Sequence, residues 1–217
     1  MAKKRRDAKA TKEKIIKNAM LLFSKNGYDA TTTDEIAKVS DVNKAMIYYY
    51  FKNKSALYGA VMSYVLDAIY QEILSSDKCC PSPLGDLESF IKTYAYYCDK
   101  NPYFPALLLR ELSDSGAHLP QEMFANMRQL FGLLSKILKE GEEQKIFHNV
   151  EPMIVHFMIV GSINLFITTK PLRTTTSQIE DKLNTCEGCS IEKIANYIFQ
   201  KIKLMLEVNY EQNISCT

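Results

Sequence analysis

The chain has 217 residues, 47% of them apolar and 24% charged, which excludes a disordered or fibrous protein and leaves ample surface for a core in one or two domains. Six Cys in that length make no disulfide scaffold, and the charged start, residues 1–7, has no apolar run behind it, so a cytoplasmic protein with reduced thiols and no secretory signal is expected. The net charge of +2 hides a split: residues 1–54 hold 13 Lys or Arg against 6 Asp or Glu, giving +7, and residues 55–217 hold 14 against 19, giving −5. A basic N-terminal quarter on an acidic body points the first part at a polyanion.

The chain reads as helices throughout, with no sustained period-two run of β-branched residues. The first helix is expected from about Lys12 to Lys25, with Ile15, Ala19, Leu22 and Phe23 at helical spacing and Gly27 as its stop. A second starts at Thr31-Thr32, where Thr32 and Glu35 have capping-box spacing. Asn43 can cap a third, Lys44 to Phe51, with Ile47 and Phe51 on its buried side, and Asn53 a fourth, from Lys54 towards Leu74. Further helices are expected at about 86–99, 103–113, 120–144, 151–169 and 190–209, about nine in all. The spacers are a Cys79-Cys80-Pro81-Ser82-Pro83 loop, a Ser113-Asp114-Ser115-Gly116 turn and a long polar loop from Pro171 to Gly188. Residues 152–169 are mostly apolar but short and spotted with Pro152, His156, Ser162, Asn164, Thr168 and Thr169, so a buried helix is expected there and no membrane partner.

Three short helices with a tight turn between the second and third describe a helix-turn-helix module. The residues carry a closer likeness. Gly27-Tyr28, Thr31-Thr32-Thr33, Ile36-Ala37, Val42, and the run Ile47-Tyr48-Tyr49-Tyr50-Phe51-Lys52-Asn53-Lys54 resemble the DNA-binding domain of the TetR family of regulators over about residues 11–57. The turn departs from that family's Ala-Gly-Val-Ser pattern with Ser40-Asp41-Val42-Asn43, and Ala45 stands where Gly or Pro is frequent. The remaining residues match in outline, with Gly141 ahead of the turn that holds Ile146 and Phe147. The resemblance implies an all-α protein with a DNA-binding domain over 1–54 and a helical ligand-binding and dimerisation domain over 55–217.

A third helix that buries Ile47 and Phe51 leaves Lys44, Ala45, Met46, Tyr48 and Tyr49 on or near its groove side. Tyr48 and Tyr50 match phosphate-contacting positions of the family. Lys54, at the start of the fourth helix, and Thr32, at the N-terminus of the second, are further phosphate candidates. Lys44, Ala45, Met46, Tyr49 and Thr33 are the candidates for base readout. For Lys3, Lys4, Arg5 and Arg6 two readings stand open, a contact with minor groove or flanking phosphate and a solvated tail.

One such module reads too little sequence alone, so a homodimer on a palindromic double-stranded DNA operator is expected. The resemblance places the dimer contact in the helices at about 151–169 and 190–209. It also implies a small-molecule effector, expected to be largely apolar or aromatic, and a repressor that the effector releases from DNA. Candidate effector residues are Tyr64, Tyr94, Tyr97, Phe104, Arg110, Met123, Phe124, Met127, Phe131, His156 and Asn164. Tyr58, Met62, Val65 and Ile69 line one face of the fourth helix, which is long enough to act as a lever beside a pocket near Tyr64, Val65 and Ala68.

The alternative is a regulator whose primary signal is thiol redox state or metal, through Cys186-Glu187-Gly188-Cys189, with Cys79-Cys80 a second thiol pair. A structural zinc site needs four ligands, and no second pair has matching spacing, so no metal and no cofactor is expected. His118, His148 and His156 form no H-x-x-x-H, and no phosphate-binding Gly loop or nucleophile elbow occurs, which disfavours an enzyme.

Overall fold

The structure, a computed structural model, describes residues 2–75, 82–119, 121–179, 186 and 188–208. Ten helices form among them: α1 (Ala2–Asn26), α2 (Thr33–Val39), α3 (Lys44–Phe51), α4 (Lys54–Ser75), α5 (Pro83–Lys100), α6 (Tyr103–Ser113), α7 (Gln121–Glu143), α8 (Pro152–Thr168), α9 (Lys170–Ile179) and α10 (Ile191–Leu206). By packing they fall into two units, Met1–Ala68 with Asn101–Arg128, and Ile69–Lys100 with Gln129–Thr217. No helix among the described residues is long and apolar enough to cross a membrane.

In the first unit, Ile15, Ala19 and Phe23 recur every four residues on α1 and are fully buried. The helix begins at Ala2 rather than near Lys12, because the residues ahead of the apolar stripe are mostly Ala, Lys and Arg with no Gly or Pro to stop propagation. Gly27, at φ +86°, turns the chain out of the helix, its N–H donating to the Phe23 carbonyl at 2.9 Å. Ile36, Ala37, Ile47 and Phe51 close the three-helix core over α1. α6 packs on α1 and buries Phe104, Leu107 and Leu108.

This unit also encloses a carboxylate. Glu111 is buried; the Tyr58 hydroxyl donates to its Oε1 at 2.5 Å, and the backbone N–H of His118 to its Oε2 at 3.4 Å. Burial first, and then the Glu111 contact, raises the Tyr58 phenol far above its ordinary range, so it remains the donor of this pair. The His118 imidazole stacks on Tyr28 and places Nδ1 3.4 Å from Glu111 and 3.3 Å from Asp114. The turn after α6 is thereby fastened to the turn after α1.

In the second unit, α5 packs on α8 and α10. Phe90, Ile91 and Tyr94 of α5 meet a core that includes Ile159 and Ile163 of α8 and Phe199 and Ile202 of α10. The chain after α7 turns at Lys145 (φ +58°) and lays residues 146–148 beside 206–208, with His148 N–H donating to Leu206 O at 2.7 Å and Val208 N–H to Ile146 O at 3.2 Å. Gly141 permits that turn, since a Cβ there would overlap the buried Phe147 ring.

The polar loop expected from Pro171 to Gly188 is corrected in its first half, which is helix α9. Pro171 falls in the first turn, where its missing N–H costs nothing, and the Thr174 and Thr175 hydroxyls donate back to the carbonyls of Lys170 and Pro171, both at 3.1 Å. Residues 180–185 of that stretch, and the Cys79-Cys80 pair, lie outside the described residues.

Candidate nucleic-acid interface

α2 begins with a complete capping box: Thr32 Oγ1 accepts from the Glu35 N–H at 3.2 Å, and Glu35 Oε2 accepts from the Thr32 N–H at 2.9 Å. The Thr32 N–H first, and then the Thr32 hydroxyl, which donates to the same Oε2 at 2.9 Å, hold the Glu35 carboxyl below its ordinary value. α2 ends at Val39 with Ser40 as its C-cap, and Asp41 then takes the left-handed position, φ +50°, that a glycine would fill. Asn18 of α1 pins the turn, its Nδ2 reaching Ser40 Oγ at 3.2 Å. Sequence reasoning missed that clamp; a polar residue beside the apolar stripe of α1, next to Ala19, was its only signal. Asn43 caps α3 by accepting from the Ala45 N–H at 2.9 Å.

With Ile47 and Phe51 buried, α3 turns Lys44, Ala45, Tyr48 and Tyr49 to solvent, with Met46 and Tyr50 half-buried. Tyr49 is 78% exposed, far beyond what a packing aromatic shows, and Tyr48 is 45% exposed. Lys44 Nζ contacts Asp34 Oδ2 at 2.6 Å, and that hydrogen bond raises its pKa. Lys54 is half-buried, with Nζ 4.4 Å from the Tyr28 ring centre and donating to Asp29 O at 3.2 Å. Thr32 is exposed at the start of α2.

Thr33 departs from its expected place. It is only 9% exposed, and its hydroxyl lies 3.4 Å from the Tyr48 hydroxyl. In that position it hydrogen-bonds the phenol. Of the remaining eight candidates, Thr32, Lys44, Ala45, Tyr48 and Tyr49 are exposed and Met46, Tyr50 and Lys54 half-buried, on α3 and at the starts of α2 and α4.

The effector candidates divide between the units. Phe104 and Met123 are buried in the first, where Tyr64 and Met127 are half-buried and Arg110 and Phe124 are exposed. Arg110 lies over Gly27, where an added Cβ would stand 2.7 Å from its Nη1. In the second unit, Tyr94 and Asn164 are buried partners: the Tyr94 hydroxyl donates to Asn164 Oδ1 at 3.0 Å, and the Cys98 thiol approaches the same oxygen at 3.8 Å. Burial pushes the Tyr94 phenol well above its usual value and the Cys98 thiol up to about 12. His156 meets Phe131 edge-on at 5.6 Å, and its buried Nδ1 has no hydrogen-bond partner. Tyr97 is half-buried on α5. A cleft of about 480 Å³ in this unit is lined by Glu72, Lys92, Tyr96, Ser190, Ile191 and Ala195 among others, and by none of the effector candidates. No group of three or more His, Cys, Asp or Glu among the described residues could hold a metal ion.

A capped helix-turn-helix with exposed Tyr and Lys on its third helix, joined to a larger helical body, defines a DNA-binding transcriptional regulator. Residues 15–61 match the family of bacterial regulatory proteins, tetR family, and residues 83–182 match the tetracyclin repressor-like C-terminal domain. The chain is 30% identical over 136 residues to the biofilm operon icaADBC HTH-type negative transcriptional regulator IcaR of Staphylococcus aureus strain Newman, covering 62% of this chain and 72% of that one. It is 27% identical over 156 residues to the probable HTH-type transcriptional regulator YttP of Bacillus subtilis, covering 69% and 72%. Among solved structures, the fold is shared with the transcriptional regulator FadR from Bacillus subtilis in complex with stearoyl-CoA, at TM-score 0.69 and 21% identity over 89% of this chain and 98% of that one. It is shared also with a regulatory protein in the tetR family from Rhodococcus RHA1, at TM-score 0.67 and 20% identity over 92% and 98%. The chain belongs to the TetR family of transcriptional regulators, and it is a regulator rather than an enzyme.

Proposed function

We propose that the protein is a cytoplasmic homodimeric repressor that binds a palindromic operator through residues 1–54 and leaves it when a small, largely apolar or aromatic molecule binds in residues 55–217. The observation that carries the DNA half is the solvent-facing Lys44, Tyr48 and Tyr49 on a helix whose opposite side is locked into the core. Repression accords with the negative regulator IcaR among the relatives, and an acyl effector with the stearoyl-CoA held by FadR.

The dimer half rests on α8 and α10. Ile154, Phe157 and Leu165 of α8, and Tyr197 and Leu204 of α10, are large apolar side chains left exposed in one chain. Apolar faces of that kind mark association surfaces. Gly161 and Ser162 allow a second helix to approach closely between Phe157 and Leu165.

Selection of bound sequences from a random duplex library tests the reading. A palindromic site that the dimer protects, and that acyl-CoA or aromatic compounds release, is expected. Enrichment of no sequence would overturn the repressor. A palindrome that no compound releases would overturn the effector half alone.

A further inference from the structure

We propose that Cys186 and Cys189 form a reversible dithiol–disulfide site whose state sets the order of the first turn of α10. The two sulfurs are joined, with the Cα atoms 5.1 Å apart at a sequence separation of only 3. Stabilisation by a disulfide grows with the length of the loop it closes, so a bond across so short a stretch contributes least as a staple. Both residues are partly exposed, open to an oxidant and a reductant. The described free cysteine, Cys98, is fully buried and its thiol is pushed up to about 12, which leaves it unreactive.

The pair closes a turn directly ahead of a helix. The Cys189 N–H donates to Cys186 O at 3.1 Å, and Cys186 takes a left-handed backbone, φ +56°. The next residue, Ser190, is the N-cap of α10: its hydroxyl oxygen accepts from the Lys193 N–H at 3.2 Å, and its carbonyl from the Ile194 N–H at 3.1 Å. Closed, the bond holds the chain in the turn that presents Ser190 as a cap. Open, the turn gains freedom and the cap loses its fixed approach. Oxidation removes two electrons and two protons. With a hydroperoxide, one thiolate takes an oxygen from the O–O bond to give a sulfenic acid and the parent alcohol or water; the second thiol then displaces water and forms the S–S bond. A dithiol reverses this by two exchanges and leaves as its own disulfide.

The effect on operator affinity rests on the dimeric reading above, because α10 is part of the proposed dimer face; the oxidised form is then the tighter binder. The full-length protein is equilibrated in reduced and oxidised dithiothreitol, and after hydrogen peroxide, and read by mass spectrometry and amide hydrogen exchange. The peptide holding both cysteines is expected to lose two hydrogens reversibly on oxidation, and the Lys193 and Ile194 amides to exchange several-fold faster in the reduced form. A Cys186→Ser, Cys189→Ser variant is expected to keep the fast exchange in every buffer. Persistence of both thiols under peroxide, or equal exchange in the two states, would overturn the proposal. Exchange that follows the redox state in a protein that binds no operator would support the site and sink the regulator reading instead.

Discussion

At Tyr48 a phenol ring leaves the core side of α3 and ends 3.4 Å from the Thr33 hydroxyl. Tyr48→Phe keeps the ring and removes the oxygen. If that oxygen meets a phosphate, affinity falls by about 1–2 kcal/mol for all sequences alike, read as parallel titrations of operator and random duplex, with the melting temperature unmoved. Lys44→Ala is expected to differ in kind. Lys44 has an alternative partner in Asp34, so on DNA it exchanges one acceptor for another, and its loss shifts which operator is preferred. His156 gives a pH prediction. Burial lowers its pKa below the ordinary 6.5. As pH falls through that value the unfolded chain takes up a proton that the folded chain refuses, so stability drops on the acid side. Urea unfolding above and below that value should show the drop, and His156→Phe should flatten it.

The helices themselves make opposite predictions at two glycines. Gly132 of α7 has nothing within 4 Å of an added Cβ, so Gly132→Ala should stabilise by about 0.4–1 kcal/mol through the unfolded chain. Gly141, in the last turn of α7, would drive its Cβ into the ring of Phe147, which is buried; Gly141→Ala should destabilise by about 1–3 kcal/mol. Thermal melts of the two variants read the difference in sign. These elements also show what sequence alone made legible. α3 and α6 were readable to the residue, because Asn43 caps one and turn residues bracket the other. The start of α1 was not, because residues 2–12 form helix by propensity without an apolar stripe to mark it. α9 was hidden for a related reason: threonine-rich sequence reads as loop until its hydroxyls find carbonyls one turn back. At the interface, the outward face of α3 followed from Ile47 and Phe51 alone. The burial of Thr33 depended on the α2–α3 angle, and that angle rests on a turn pinned by Asn18 from another helix. The Cys186–Cys189 spacing was visible as a thiol pair open to redox chemistry, and the structure joins its two sulfurs.

For the whole molecule, association and DNA binding are linked. Phe157 is 62% exposed and Leu204 64% exposed on the two helices of the proposed dimer face. Phe157→Glu places a charge where a second copy would bury the ring; the variant is expected to elute as a helical monomer and to lose the palindrome while retaining weak half-site binding. If the basic N-terminal quarter binds DNA as proposed, it sets the salt response. A protein that neutralises phosphates releases counterions, so log K falls linearly with log salt, by about 0.9 for each phosphate contact. Lys3, Lys4, Arg5 and Arg6 carry four charges, and α1 runs helical through them from Ala2. They are therefore carried on the same helix that Ile15 and Ile16 anchor in the core. Deleting residues 1–6 is expected to flatten the slope by about 0.9 per lost contact and to leave the preferred operator sequence unchanged. An unchanged slope would assign the four charges to solvent, and a changed operator preference would place them in a groove rather than on the backbone.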